Sequence, residues 1–182
     1  MSDLHIFVDA SSYPFTIPHY LQDIILWCQE LKEVDLAYMN HTGGLKDEDL
    51  EFLVKNIPPN VEKLNLSSCD HDPLWPAFHD YHVKILLRRC NKIKALSLEA
   101  TVITDLSLKN IRQYLNHTLE ELSLGLSYTE ISYTGFIELN SMPRLKILNV
   151  HYDEYDDQEI QNLRKLLPRV MIKVSHEEKG LG

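Results

Sequence analysis

Apolar residues recur along this chain in a six-residue pattern that covers most of its length. Five segments fit the template L-x-x-L-x-L, in which each L position holds an apolar residue. They start at residues 31, 61, 93, 119 and 145, so their spacing is 30, 32, 26 and 26 residues. The segments read LKEVDL, VEKLNL, IKALSL, LEELSL and LKILNV. The last three positions of each alternate with a period of two, so each segment predicts a short strand.

Weaker copies of the pattern around Ile6 and Ile172 raise the number of predicted strands to seven. The predicted strands lie near residues 5–9, 33–37, 63–67, 95–99, 121–125, 147–151 and 171–175. Between them the apolar residues recur at spacings of three and four, which is typical of helices. The predicted helical segments are 17–31, 45–57, 103–115, 131–139 and 155–167. A strand–helix unit cannot bury its apolar face alone, so about six units must stack, within one domain spanning 1–182.

Polar residues suited to helix starts precede several of these helical segments. Thr104 or Asp105, Ser132, and Asp156 or Asp157 stand where a side-chain oxygen would accept a hydrogen bond from the first free backbone amides. Acidic residues in the following turn suit the positive end of the helix dipole. The chain is therefore predicted to be an α/β protein with a parallel sheet on one side and helices on the other.

The three cysteines extend the repeat into a more specific resemblance. Cys28 and Cys90 each lie three residues before the first template position of a segment, and Cys69 lies three residues after the last one. This pattern resembles the cysteine-containing subtype of leucine-rich repeats, which is found in F-box subunits of ubiquitin ligases. The resemblance implies an arc-shaped solenoid with a concave parallel sheet and convex helices, and a role in binding proteins. No F-box segment is visible in the sequence.

Composition and charge restrict the possible partners. Among the 182 residues, 18 are Lys or Arg and 27 are Asp or Glu, for a net charge of −9. This charge argues against nucleic acid as a partner, because such affinity comes mainly from basic side chains. The apolar runs are too short for a membrane span. An odd number of cysteines without an evident signal sequence favours a reducing compartment, either cytoplasmic or nuclear.

The outward positions of the predicted strands form a candidate partner-binding surface. Its selected members are polar or charged: Glu33, Asp35, Lys63, Asn65, Glu99, Glu121 and His151. This set is moderately acidic, so the expected partner is another protein with a basic or polar surface. The alternative is a solvated face without a partner.

A long connection at residues 69–82 offers a second candidate contact. Trp75, Phe78 and Tyr81 are large side chains of the kind that anchor protein interfaces. Alternatively, Trp75 and Phe78 fold back and cover the core. The same segment carries three histidines and three aspartates, but their spacing matches no metal motif. We therefore expect no metal and no cofactor.

Catalytic motifs are not apparent. A cysteine nucleophile needs a base and a lowered pKa, whereas cysteines at repeat positions should be buried and inert. The sequence therefore predicts a protein-interaction module rather than an enzyme, with a ubiquitin-ligase adaptor as the first hypothesis. The alternative is an assembly factor of a larger complex, similar to short mitochondrial leucine-rich repeat proteins. The sequence leaves open the oligomeric state and whether the chain is part of a longer repeat protein.

Overall fold

The computed structural model describes residues 5–7, 19–37, 47–67, 78–125, 130–151 and 156–175. Strands and helices alternate throughout these ranges. The strands are β1 (His5–Phe7), β2 (Glu33–Asp35), β3 (Lys63–Asn65), β4 (Ala95–Ser97), β5 (Glu121–Ser123), β6 (Ile147–His151) and β7 (Met171–Ser175). The helices are α1 (His19–Trp27), α2 (Asp47–Asn56), α3 (Asp80–Arg89), α4 (Asp105–Leu115), α5 (Tyr133–Asn140) and α6 (Asp157–Leu166).

The seven strands form one parallel sheet in sequence order, as the repeat predicts. Equivalent template positions pair across neighbouring strands; Leu64, for example, lies opposite Leu96. Strands β2 to β5 each end two residues earlier than predicted, while predicted strand residues 8 and 9 lie outside the described ranges. In β2 and β3 the reason is visible: Asp35 Oδ1 accepts a hydrogen bond from the amide of Ala37 at 2.9 Å, and Asn65 Oδ1 accepts from Ser67 at 3.0 Å. These local side-chain bonds turn the backbone out of the strand.

The hydrophobic core lies between the sheet and the helices. Template residues such as Val34 and Leu64 are 1% and 2% exposed, and helix residues such as Leu108 and Ile111 are fully buried. Full burial of one such side chain contributes roughly 1.5–3 kcal/mol. Stacking of the units therefore supplies the apolar burial that no single unit could obtain. None of the helices in the described ranges is long and apolar enough to span a bilayer.

Three predicted helix caps are present. Thr104 accepts a hydrogen bond from the Leu106 amide at 3.1 Å, Ser132 caps α5, and Asp156 forms a reciprocal capping box with Glu159. Asp105 is the first residue of α4 rather than its cap. Helix α3 has no counterpart among the predicted helices, and the predicted connection at 69–82 overlaps its first turn. That prediction was wrong for residues 80–82, which form the first turn of α3.

Cys90 shows what a repeat cysteine contributes. It is fully buried, and its Sγ lies 3.7 Å from the carbonyl oxygen of Ile57 and 3.5 Å from that of Pro58, as a donor to both. Both carbonyls follow helix α2, and that of Pro58 also accepts from the Val61 amide at 3.2 Å, so the thiol adds a further donor at the end of this helical unit. Burial raises the pKa of Cys90 to about 12, which keeps it a thiol. Cys28 is half-buried, and Cys69 lies outside the described residues.

Candidate protein-binding face

Alternate strand residues project from the side of the sheet opposite the helices, which we call the open face. Its two rows follow the strand register: Glu33, Lys63, Ala95, Glu121 and Ile147 in the first, and Asp35, Asn65, Ser97, Ser123 and Asn149 in the second. All of these side chains are partly or fully accessible, whereas the residues between them in each strand are buried. Five predicted contact residues therefore share one surface: Glu33, Asp35, Lys63, Asn65 and Glu121.

Hydrogen bonds and one ion pair join neighbouring residues of the open face. Lys63 Nζ lies 3.3 Å from Glu33 Oε2. On the other side, Asn149 Nδ2 donates to Glu121 Oε1 at 2.9 Å and to Ser123 Oγ at 2.8 Å. Side chains held in this way lose less conformational freedom when a ligand binds.

Small residues create a hollow in the middle of the open face. Ala95 lies between Lys63 and Glu121 in the first row, and Ser97 lies beside it in the second. The hollow has a volume of about 230 Å³. Cofactor and drug-sized ligands need pockets of roughly 300–1,000 Å³ that enclose most of their surface. An open hollow of this size instead suits a single side chain from a protein partner.

The open face is packed more tightly near the carboxyl ends of β5 and β6. A Cβ added to Gly125 would lie 2.9 Å from the backbone nitrogen of His151. His151 is only 7% exposed, so it is a buried residue and not the exposed partner contact that the sequence predicts. Glu99 is half-buried, and burial raises the pKa of its carboxyl while the nearby His151 opposes that rise.

The two described aromatic residues of the 69–82 segment, Phe78 and Tyr81, do not share one surface. Phe78 is 7% exposed and belongs to the core. The alternative in which Phe78 folds back over the core is therefore correct for this residue, and its prediction as a partner contact is wrong. Tyr81 is 58% exposed on α3, and its hydroxyl donates to Glu51 Oε1 of α2 at 3.2 Å. Tyr81 thus belongs to the helical layer rather than to the open face. Trp75 lies outside the described residues.

The described histidines and aspartate of that segment have structural roles at the start of α3. His82 Nδ1 accepts a hydrogen bond from the His79 amide at 3.2 Å. Asp80 accepts hydrogen bonds from Thr104 in the next unit. Within the described residues, no three histidine, cysteine or acidic side chains are grouped so that they could hold a metal ion.

A row of alternating charges, which sequence reasoning missed, follows the edge where the strands begin. It comprises Lys32, Glu62, Lys94, Glu120 and Lys146, and we call it the charge row. Glu62 pairs with Lys94 and, at 3.6 Å, with Lys32, while Glu120 pairs with Lys146. The hydrogen bond from Lys94 lowers the pKa of Glu62. The sequence contains the pattern that would have predicted this row, because all five residues occupy the second position of the L-x-x-L-x-L template.

Comparison with models of protein families and with curated proteins finds no match to this sequence. Solved structures do resemble the fold. Actin-binding site 2 of leiomodin-1 superposes with a TM-score of 0.56 at 16% identity, over 81% of this chain and 86% of that one. The leucine-rich repeat-containing protein LegL7 of Legionella pneumophila gives a TM-score of 0.48 at 16% identity, over 82% of this chain and 48% of that one. With its repeat and its parallel sheet, this chain has the leucine-rich repeat fold, an arc with a concave sheet and convex helices.

Proposed function

We propose that this chain is a protein-interaction module that binds a segment of a partner protein on its open face. The observation that carries the proposal is the hollow at Ala95 and Ser97, which charged and polar side chains surround on a rigid sheet. Small residues allow a partner's side chain to approach the sheet closely. The neighbouring hydrogen-bonded side chains provide polar contacts without further ordering.

The charges of the open face favour a basic partner segment. Lys63 is paired with Glu33, so its charge is largely compensated. Asp35 and Glu121 lie on either side of the hollow and are partly accessible. A lysine or arginine that enters the hollow would lie between these two carboxylates. An arginine suits the site best, because its planar group can donate to several oxygens at once.

We further infer a binding role rather than catalysis. The one buried thiol that the structure describes, Cys90, has a raised pKa and donates to backbone carbonyls, which opposes nucleophilic chemistry. Among the residues that the structure describes, no cysteine or histidine lines the hollow on the open face. This arrangement supports recognition of a partner by shape and charge.

Two substitutions on the open face test the proposal. Ser97→Trp fills the hollow, and Asp35→Lys reverses one of its charges. The matched control is Asp23→Lys, which makes the same charge change at an exposed position of α1. Tagged proteins would be used for affinity purification from lysate with quantitative mass spectrometry, after circular dichroism has shown that each variant folds.

We expect a set of proteins that the control retains and that both open-face variants lose. An unchanged set for Ser97→Trp and Asp35→Lys would contradict the proposal. The identity of the lost proteins also tests the finer hypothesis of a cytoplasmic or nuclear ubiquitin-ligase adaptor, which the ladder position of Cys90 supports. Ligase scaffold subunits would agree with that hypothesis, whereas subunits of a respiratory complex would favour an assembly factor.

A further inference from the structure

All helices of the arc point in the same direction, and this determines where their compensating charges accumulate. Four helices, α2, α3, α4 and α6, have acidic residues in the first turn and basic residues in the last. Such charges offset the helix dipole. In an antiparallel bundle they would alternate between the two ends. In a parallel stack they add together, so one edge of the arc becomes acidic and the opposite edge becomes basic.

The edge where the helices end has a group of cations that we call the basic edge. It comprises the last-turn residues Arg88, Arg89, Arg112, Arg164 and Lys165, together with Lys109, which lies about one turn before Arg112 on α4. Contacts between units hold this edge together. Arg88 Nε donates to the Tyr114 hydroxyl at 3.3 Å, which joins α3 to α4, and the guanidinium of Arg112 lies 2.7 Å from Glu138 Oε2 on α5.

Much of the positive charge on the basic edge is uncompensated. Arg89, Lys109, Arg164 and Lys165 are all exposed, and none forms an ion pair with a carboxylate in the described part of the chain. The charge row differs, because each of its lysines lies beside a glutamate. A protein with a net charge of −9 therefore has a surface of local positive potential.

A groove between α4 and α5 adjoins the basic edge at Lys109 and Arg112. Its volume is about 570 Å³, and it is lined by Lys109, Arg112, Gln113, Asn116, His117 and Glu138. Arg112 is paired with Glu138 in this groove, whereas Lys109 is exposed and forms no ion pair in the described part of the chain.

We propose that the basic edge docks an acidic segment of a partner protein, seated in the groove between α4 and α5. The carboxylates of that segment would contact Lys109, Arg89 and the neighbouring cations. This surface is separate from the open face, so the proposal stands independently of the proposed function.

Two observations favour a polypeptide over nucleic acid as the occupant. Glu138 lies in the groove and would repel a continuous row of phosphates. The net charge of −9 also disfavours the approach of a long polyanion.

The test is fluorescence anisotropy with dye-labelled probes at low and raised salt. The probes are a peptide of alternating Glu and Ala, a peptide of alternating Lys and Ala, and single-stranded and duplex DNA. We expect the Glu–Ala peptide to bind more tightly than the other probes and to weaken as salt screens the charges. The double variant Arg89→Glu/Lys109→Glu should weaken its binding by about tenfold or more, because two charge contacts become repulsive.

The matched control is Lys55→Glu/Lys173→Glu, which changes the net charge equally at exposed positions of α2 and β7. It should leave binding of the Glu–Ala peptide within about twofold of wild type. Four outcomes would overturn the proposal. They are no binding of that peptide, equal losses in both double variants, DNA binding at least as tight, or sedimentation showing that the basic edge only contacts a second copy of the chain. Arg89→Gln/Lys109→Gln removes the charges without reversal and would show an intermediate loss.

Discussion

Charged residues link neighbouring units at both ends of the strands, but their partners differ. One end is the edge where the helices begin, and the other is the edge where the strands begin. At the edge where the helices begin, Asp80 accepts hydrogen bonds from the Thr104 amide at 3.0 Å and the Thr104 hydroxyl at 2.7 Å, and also from Ser107. Asp105 repeats this toward Ser132, at 2.8 Å from its amide and 2.6 Å from its hydroxyl. At the other edge, the charge row links lysine and glutamate side chains.

The difference shows that a charge stabilises a repeat most when its partner is fixed. A backbone amide at a helix start has no conformational freedom to lose, and it needs an acceptor in any case. Asp80 also accepts a hydrogen bond from the hydroxyl of Ser107, and Ser107 is fully buried. The lysines of the charge row are more than half exposed at Lys94 and Lys146, so they lose side-chain entropy and their charges are screened.

The largest effect is expected for Asp80→Ala. The substitution leaves the Thr104 amide and the buried Ser107 hydroxyl without their acceptor, so we expect a loss of about 2–3 kcal/mol in the free energy of unfolding. Urea denaturation would measure it. The control is Glu48→Ala, an exposed acidic residue in the first turn of α2, which should cost well under about 1 kcal/mol. Equal losses in the two variants would mean that only the helix dipole matters at this edge.

Gly135→Ala should have the next largest effect. A Cβ at this position would lie 2.1 Å from Asp105 Oδ1, so the carboxylate would have to leave Ser132. We expect a loss of about 1–2 kcal/mol, although alanine is the better helix former by about 1 kcal/mol. In an Asp105→Ala background the same change should become neutral or stabilising. If Gly135→Ala still lowers the free energy of unfolding in that background, the added methyl group does not clash with Asp105.

Acidification should lower the free energy of unfolding because it protonates His82, a residue at the edge where the helices begin. His82 is 6% exposed. Its pKa is lowered by burial first and by the neighbouring His79 second, against the opposing charges of Asp47 and Glu51 on α2. The neutral ring is therefore the folded form, and protonation would remove the acceptor for the His79 amide. Stability should be constant above about pH 6.5 and decline as the pH falls through the lowered pKa.

Urea midpoints measured between about pH 7.5 and pH 5.5 would test this expectation. His82→Gln keeps an acceptor but does not titrate, so its stability should decline less over the same interval. Parallel pH profiles for the two proteins would exclude His82 as the group responsible.

The smallest effect is expected for Glu62→Gln in the charge row. It removes the charge that pairs with Lys32 and Lys94, and the loss should remain below about 1 kcal/mol. The loss should also disappear at high salt, where exposed pairs are screened. The comparison of the two edges would fail if this substitution cost as much as Asp80→Ala.

The sequence predicted most of the strand residues that lie on the open face, but it did not predict which of the remaining positions are buried. Glu33, Asp35, Lys63, Asn65 and Glu121 were placed correctly because a strand alternates its side chains between two faces. The burial of His151 was not predictable, since it depends on how closely β5 and β6 approach at Gly125. The start of α3 was also missed, because a polar, histidine-rich segment precedes it and its stabilising contact comes from the following unit.

The repeated template alone determined the strands, their parallel order and their register, because each copy must bury the same apolar positions against its neighbours. Polar residues before the helices also predicted Ser132 as the cap of α5 and left two candidates each for α4 and α6, of which the structure selects Thr104 and Asp156. Only the tertiary structure decided that Phe78 belongs to the core, that a hollow opens at Ala95, and that the helix-end charges meet along one edge. These features depend on distances between residues about 26 to 32 positions apart, which stacking of the units sets and local pattern does not.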